Sequence, residues 1–115
     1  STDYVATRLA KRFHASLVVN LSNIDYVYEK DPRKYPQARA IRQLGWKEFR
    51  QMVGETWDPG MNVPFDPVAS KMADGNKMSV AILNGNNIQN LHALLTGKKF
   101  VGTMIVSSTD PQVFV

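Results

Sequence analysis

The sequence predicts an α/β fold in which helices cover both faces of a mostly parallel sheet, giving three αβα layers. Two short apolar runs, residues 16–21 and 78–83, are rich in β-branched residues and have the length of buried strands. Amphipathic helical patterns alternate with these runs, which is typical of α/β winding. The length of 115 residues fits one domain.

The first elements follow from local patterns. Residues 1–14 are expected to form a helix, because good N-cap residues open it and an apolar stripe recurs at i, i+4 and i+8: Val5, Leu9 and Phe13. The strand at 16–21 is expected to be buried on both faces. A long polar connection, 22–38, follows and leaves room for a short hairpin at 27–30.

Turn and cap residues divide the rest of the chain. Asp66 suits the cap of a helix and Pro67 its first helical position, while Gly97 suits the position just after a helix. The remaining predicted elements are a strand at 38–44 that ends at Gly45, a helix at 46–53, a loop at 54–65 with the turn signal Pro59-Gly60, a helix from Pro67 to about 72 or 73, the strand at 78–83, a turn at 84–87, a helix at 88–95 capped by Asn86 or Asn87, and a strand at 100–106. The predicted domain covers residues 1–106, and residues 107–115 are expected to be a loose tail.

Composition excludes several functional classes. The chain has no cysteine, which excludes a disulfide framework, cysteine-ligated zinc, iron–sulfur clusters and thiol catalysis. The only histidines, His14 and His92, favour surface or structural roles, so no metal site is expected. No apolar run approaches the ~18 residues of a membrane helix and no secretory signal pattern is present, so a cytoplasmic protein without membrane contact is expected. The first residue is Ser rather than Met, which fits a fragment.

Basic residues outnumber acidic ones by 14 to 10, which is a mild excess. The densest basic patches are Arg8-Lys11-Arg12 and Lys98-Lys99, and solvated faces explain them better than a nucleic-acid footprint does. Phosphate of some kind remains a sensible partner. The two commonest phosphate-binding motifs, GxxxxGK[ST] and GxGxxG, are absent from the sequence.

Polar residues cluster just after the strand at 16–21. That strand delivers Ser22, Asn23 and Asp25 at its carboxyl end, where ligands bind in α/β sheets, and Tyr26, Tyr28 and Asp31 follow. Such hydroxyl, amide, aromatic and carboxylate groups suit a base and a ribose. The same residues would also suit a connector rich in turns, and the residues alone favour neither interpretation.

Residues 22–32, SNIDYVYEKDP, resemble the nucleotide-binding loop of uridylate kinases in the amino-acid kinase family, which typically reads T-N-V-D-G-V-Y-x-x-D-P. The opening Ser1-Thr2-Asp3 resembles that family's T-T-D, which also precedes a helix. Looser matches are residues 66–69, DPVA, and the closing element from Gly97 to Gly102-Thr103. Order and spacing agree over residues 1–106.

The resemblance implies a role for each matching position. The residues at ATP-contacting positions are Ser22, Asn23, Tyr28 and Asp31. Thr2 falls where the family contacts UMP, Asp3 falls on the aspartate that organises phosphate transfer, and Asp66 falls on a second carboxylate near that centre. For Asp66, a role as helix cap alone is an equal alternative.

The reaction implied is phosphoryl transfer from ATP, with Mg²⁺, to UMP, which gives UDP and ADP in pyrimidine nucleotide synthesis. Tyr26 departs from the family's Gly, and Ser22 replaces Thr but keeps the hydroxyl. The family's N-terminal half, with its glycine-rich loop and lysine, has no counterpart here. The sequence is therefore expected to be the ATP-binding half, inactive alone and prone to self-association, from a parent that is a homo-oligomer. The alternatives are a non-catalytic nucleotide-binding module and, less favoured, an RNA-binding domain.

Overall fold

Helices and strands alternate through residues 1–56, 63–107 and 111–115, which the computed structural model describes. In chain order the elements are α1 (Thr2–Arg12), β1 (Leu17–Ser22), β2 (Val27–Tyr28), β3 (Ala40–Gly45), α2 (Trp46–Thr56), α3 (Pro67–Gly75), β4 (Ser79–Asn84), α4 (Ile88–Leu95), β5 (Thr103–Val106) and β6 (Val113–Phe114). The predicted turn Pro59-Gly60 lies outside the described residues. Within them, none of the helices is long and apolar enough to cross a membrane.

The sheet has the strand order β1-β4-β5-β3-β2, with β6 also paired to β3. This confirms the α/β fold class, but the sheet is mixed: β1–β4 and β3–β5 are parallel, whereas β4–β5, β2–β3 and β3–β6 are antiparallel. The antiparallel pair β4–β5 lies between the two parallel pairs, which the predicted mostly parallel sheet did not include. The reason lies in α4, which buries none of its residues and so does not pack on the sheet as a crossover helix. The chain leaves and re-enters the sheet at the same end.

The core lies where α2 and α3 pack against the central strands. Trp46 contacts Phe49 edge-to-face, with ring centroids 5.8 Å apart, and its indole nitrogen donates to the Met78 carbonyl over 2.7 Å. Buried alanines of α3, Ala69 and Ala73, let that helix approach the sheet closely. The Asp66 cap and Pro67 start of α3 are as predicted.

The packing face of α1 differs from the predicted stripe. Val5, Leu9 and Phe13 are 55%, 53% and 76% exposed. The buried residue of the helix is Thr7, whose hydroxyl donates to the Asp3 carbonyl over 2.8 Å and so needs no water. Because the Thr7 hydroxyl has its hydrogen-bond partner within the helix, the face of α1 that contains Thr7 can pack against the rest of the protein.

The two outer parts of the sheet also differ from prediction. β1 is an end strand, and Val18 is its one buried residue, so it is not buried on both faces. Val113–Phe114 pairs with β3 as β6, and the Arg39 guanidinium lies 3.5 Å from the Phe114 ring centroid. The tail is therefore not loose at this end. Residues 108–110 lie outside the described part, and the domain boundary at 106 stays a prediction.

The long connection after β1 is anchored rather than folded on itself. Instead of forming a hairpin within residues 27–30, β2 pairs with β3. The buried Thr103 hydroxyl donates to the Ile41 carbonyl over 2.6 Å and accepts from the Val27 amide over 2.9 Å. The connection therefore runs from β1, at one edge of the sheet, to β2, at the opposite edge.

Candidate functional site

Two predicted site residues, Asp3 and Asp66, are in contact near the carboxyl end of β1. Asp3, in the first turn of α1, accepts from the Asn20 side-chain amide through Oδ1 over 2.9 Å and from the Asp66 backbone N–H through Oδ2 over 3.1 Å. These residues, Asp3, Asn20 and Asp66, form what we call the Asp3 cluster. It joins α1, β1 and the start of α3, and it brings together residues 63 positions apart in sequence.

Asp66 is a true helix cap within this cluster. Its Oδ2 accepts from the Ala69 N–H over 2.8 Å, and its backbone carbonyl accepts from the Ser70 N–H and hydroxyl, each over 2.8 Å. Oδ1 accepts no hydrogen bond from the described residues. The capping role is therefore present in the structure, and one carboxylate oxygen is left over for a ligand.

A cavity of about 210 Å³ opens beside the Asp3 cluster. Thr2, predicted at the UMP position, lines it together with Asp3, Asn20 and Phe65. No lysine or arginine is among its described lining residues. The cavity thus offers hydroxyl, amide and carboxylate groups but no positive charge.

A second cavity, of about 380 Å³, is lined by residues next in sequence to those of the first, since Ser22 follows Leu21 and Pro64 precedes Phe65. Three of the four predicted ATP residues, Ser22, Asn23 and Asp31, line it with Arg33. Ser22 Oγ accepts from the Ile24 N–H over 3.1 Å, which leaves the hydroxyl hydrogen able to donate, and the Asn23 side chain is exposed. The groups expected to recognise a nucleotide therefore share one concave surface.

Asp31 shapes this second cavity. It is buried, and its Oδ1 accepts from the Arg33 backbone N–H over 2.9 Å and from Nε over 3.2 Å, while Oδ2 accepts from Nη2 over 3.3 Å. The side-chain hydrogen bonds from Arg33 hold the pKa of Asp31 below its usual value. The carboxylate is thus ionised and already engaged by a cation.

Tyr28 is set apart from the other predicted ATP residues. It lies on β2 opposite Ala40 and is half-buried. It lines neither of the two cavities described above. Its predicted role, like the roles of the other site residues, stays a prediction. A further cavity of about 380 Å³ between α2 and α3 contains none of the predicted site residues.

Two functional candidates were missed by sequence reasoning. Asn20 donates to Asp3, and Asn84 donates to Asp25 Oδ1 over 3.1 Å, which links the end of β4 to the connection after β1. A signal for Asn20 was present, because an asparagine interrupts an otherwise apolar strand. Among the described residues no group of three or more acidic, histidine or cysteine side chains could hold a metal ion by itself.

The chain is similar in sequence to a known family and to several known proteins. The model of the amino acid kinase family matches residues 1–84. The uridylate kinase of Methanobrevibacter smithii is 33% identical over 108 residues, which is 93% of this chain and 48% of that protein. That of Methanococcus aeolicus is 38% identical over 86 residues, 74% of this chain and 38% of that protein. The chain spans about half the length of the curated relatives it matches, or less.

Solved structures share the fold. The uridylate kinase from Archaeoglobus fulgidus superposes with a TM-score of 0.77 at 28% identity, covering 92% of this chain and 47% of that one. The UMP kinase from Bacillus anthracis superposes with a TM-score of 0.82 over 100% of this chain and 43% of its own. At 20% identity, that second likeness concerns the fold alone.

Proposed function

Because the chain belongs to the amino acid kinase family, we propose that it supplies the ATP-binding part of a UMP kinase, which transfers a phosphoryl group from ATP to UMP. The observation that carries the proposal is the Asp3 cluster, whose cavity is lined by residues next in sequence to those of the cavity formed by Ser22, Asn23 and Asp31. A donor and an acceptor nucleotide would each occupy one of these two cavities. Uridylate kinases recur among the relatives.

In this proposal the residues act by positioning. The Ser22 hydroxyl and the Asn23 amide would bind ATP, and the Thr2 hydroxyl would bind UMP. Asp3 accepts hydrogen bonds at both carboxylate oxygens, so it serves to fix the start of α3 against β1 rather than to take a proton. Phosphoryl transfer needs little covalent chemistry from the protein, so a rigid arrangement of this kind suits it.

The described residues fit Mg²⁺ bound mainly by ATP. Mg²⁺ is commonly held by one or two carboxylates together with substrate phosphates. Both oxygens of Asp3 and Oδ2 of Asp66 accept hydrogen bonds, whereas Asp66 Oδ1 accepts none from the described residues. Asp66 would therefore hold the ion. The chemistry that the ion supplies when bound is neutralisation of phosphate charge.

The same geometry predicts that the isolated chain does not turn over UMP at a useful rate. Electrostatic stabilisation is usually the largest catalytic contribution, and the cavity beside the Asp3 cluster has no described cationic lining. Arg33, in the cavity lined by Ser22 and Asn23, is engaged by Asp31. A coupled ADP-release assay with UMP, ATP and Mg²⁺ tests this, and robust UMP-dependent turnover would contradict it.

A non-catalytic nucleotide-binding module is the second candidate, favoured for the isolated chain by the same lack of cations. Both candidates require ATP binding, which calorimetric titration measures directly. Asn23→Ala removes an exposed amide from the cavity and should weaken ATP binding about 2- to 10-fold, the range of one net hydrogen bond. Gln89→Ala removes an exposed amide from α4, outside the cavity, and serves as the matched control. Equal affinity of both variants would exclude Asn23 from the site.

We further propose that the isolated chain self-associates. The exposed stripe Val5, Leu9 and Phe13 lies on the helix that packs beside β1, an end strand of the sheet. An unpaired strand edge beside apolar side chains favours association with another chain. Light scattering over a concentration series should show a rising mass, and Leu9→Gln with Phe13→Gln should reduce it. A monomer at all concentrations would contradict the proposal.

A further inference from the structure

Basic side chains surround a concave surface at the far end of α1. A cavity of about 670 Å³ is lined by Arg8, Lys11, Arg12, His14 and Met72. A second, of about 400 Å³, shares Lys11 and His14 and adds Lys77. We call the combined surface the basic cleft: Arg8, Lys11, Arg12, His14 and Lys77.

The basic cleft lies away from the candidate nucleotide site. Lys77 comes just before β4, and His14 just before β1, so the cleft is at the amino ends of these parallel strands. The Asp3 cluster is near the carboxyl end of β1, at the first turn of α1. Along α1, Asp3 and Lys11 are eight residues apart, about 12 Å at 1.5 Å per residue, and Arg8 is the cleft residue nearest to Asp3 along the helix. The cavities of the cleft share no described lining residue with the cavity beside the Asp3 cluster.

The positive charge of the cleft is not neutralised by the described protein. No Asp or Glu is among the described lining residues, and Lys11, Arg12 and Lys77 form no ion pair within the same part of the chain. Arg8 donates to the Tyr4 hydroxyl over 3.3 Å, which is a neutral partner. The α1 dipole accounts for Lys11 and Arg12, which are in its last turn. It does not account for Lys77, which comes from another element.

The backbone gives a second, independent observation. Among the described non-glycine residues, His14 and Lys77 have a positive φ, 58° and 55°, and both line the same cavity. They follow the C-caps of α1 and α3, where glycine fits without strain, as Gly97 does after α4 with φ 73°. A histidine and a lysine thus line one cavity from positions where the backbone favours glycine. Such local strain clusters at functional sites.

We propose that the basic cleft binds an oligophosphate chain, either as inorganic tripolyphosphate or as the triphosphate of a nucleotide. Four permanent cations, Arg8, Lys11, Arg12 and Lys77, converge on a ligand with several adjacent negative charges, and charge-assisted hydrogen bonds to phosphate are strong. The concave shape suits a short phosphate chain better than a duplex. This inference does not depend on the proposed kinase function.

Calorimetric titration of the 115-residue chain with tripolyphosphate, at fixed low ionic strength, tests the proposal. Arg12→Gln with Lys77→Gln should weaken binding at least about tenfold, because charged hydrogen bonds are lost. The matched control, Arg42→Gln with Lys47→Gln, removes the same two charges from exposed positions outside the cleft and should change affinity less than about twofold. Equal losses in the two variants, or no binding by the wild type, would overturn the proposal.

Lys77→Gly separates binding from folding. Glycine relieves the left-handed backbone, so this variant should melt at the same or a higher temperature and still bind tripolyphosphate several-fold more weakly. Unchanged affinity in a folded Lys77→Gly variant would overturn the proposal. This second variant matters because Lys77→Gln leaves the backbone strain in place.

Two further titrations identify the source of the phosphate. Equal affinity for ATP and tripolyphosphate in the cleft supports a phosphate-only ligand, whereas tighter ATP binding that falls in the cleft variants supports a nucleotide. Asn23→Ala should leave the tripolyphosphate affinity of the cleft unchanged. A failure of the kinase proposal can therefore be told apart from a failure of the cleft proposal. Cleft-dependent binding of single-stranded RNA that tripolyphosphate fails to displace would overturn the proposal in favour of RNA.

Discussion

The two ends of α1 use polar residues in opposite ways. At its first turn, both oxygens of Asp3 accept hydrogen bonds from other elements, so that end is fixed by internal partners. At its last turn, Lys11 and Arg12 find no ion pair among the described residues. A satisfied network holds a geometry, whereas unpaired charge retains the capacity to bind. The comparison suggests positioning at one end of the molecule and recognition at the other.

The largest expected effect comes from removing Asp3. Asp3→Ala leaves the Asn20 amide and the Asp66 N–H without their acceptor, and we expect the free energy of unfolding to fall by about 2–3 kcal/mol. Urea unfolding measures this. Asp25→Ala, which removes an exposed carboxylate with one described hydrogen bond, is the control and should cost less than about 1 kcal/mol. Equal costs would mean that the Asp3 cluster does not hold α3 in place.

Tyr28 offers the next effect, on ATP binding. If its ring stacks on the base, Tyr28→Ala should weaken ATP binding by about 1–3 kcal/mol. The structure places Tyr28 on β2, outside both cavities near the Asp3 cluster, so the measurement decides between two sites for the base. Tyr28→Phe keeps the ring and should bind like the wild type. An unchanged affinity of Tyr28→Ala would remove Tyr28 from the site.

A smaller effect concerns Asn20, which holds one oxygen of Asp3. Asn20→Ala should lower the free energy of unfolding by about 1 kcal/mol, the net value of a single hydrogen bond. In a double-mutant cycle with Asp3→Ala the two costs should not add, since both variants break the same contact. Full additivity would show that the two side chains act separately.

The smallest effect is a pH dependence at Asp31. Its pKa is lowered from 3.8 by Arg33, so the loop is stabilised above pH 3.8 and loses that stabilisation as the pH falls through the lowered pKa. Arg33→Gln should therefore move the acid transition of the Asp31 carboxyl to higher pH, as followed by NMR. Arg39→Gln is the control, since its guanidinium lies on Phe114 instead. An unchanged titration of Asp31 in Arg33→Gln would contradict the assignment.

Local signals predicted the elements well, because their causes are local. Asp66-Pro67 at the start of α3, Asn87 at the cap of α4 and Gly97 after it act through neighbouring backbone groups, and the structure confirms them. The direction of β5 depends instead on whether α4 packs on the sheet. The burial of Thr7 depends on a hydrogen bond within α1 that an apolar stripe does not reveal.

The candidate site was predicted only in part, and by resemblance to a family rather than by local signals. Asp3 and Asp66 were paired by resemblance, since nothing in their spacing places them together; in the structure the Asp66 backbone N–H donates to Asp3, while their roles stay predictions. Asn20 was missed because an amide in a strand has many possible partners. The basic cleft was visible in sequence only as Arg8, Lys11 and Arg12, because Lys77 joins it through the parallel pairing of β1 and β4.

Thr103, near the C-terminal end of the sequence, holds the candidate ATP loop in position. A single hydroxyl on β5 ties the Val27 amide of β2 to the Ile41 carbonyl of β3, in a fully buried position. A methyl group in place of this hydroxyl would leave the Val27 N–H and the Ile41 carbonyl buried without a hydrogen-bond partner. A shift of β5, for example after a substitution at the neighbouring Gly102, would therefore move Val27. The loop that begins at Ser22 would change its shape as a result. The preceding glycine has no room for a side chain, since a Cβ there would lie 2.8 Å from the Ile82 carbonyl oxygen. The shape of the loop thus depends on a buried residue that lines neither cavity near the Asp3 cluster.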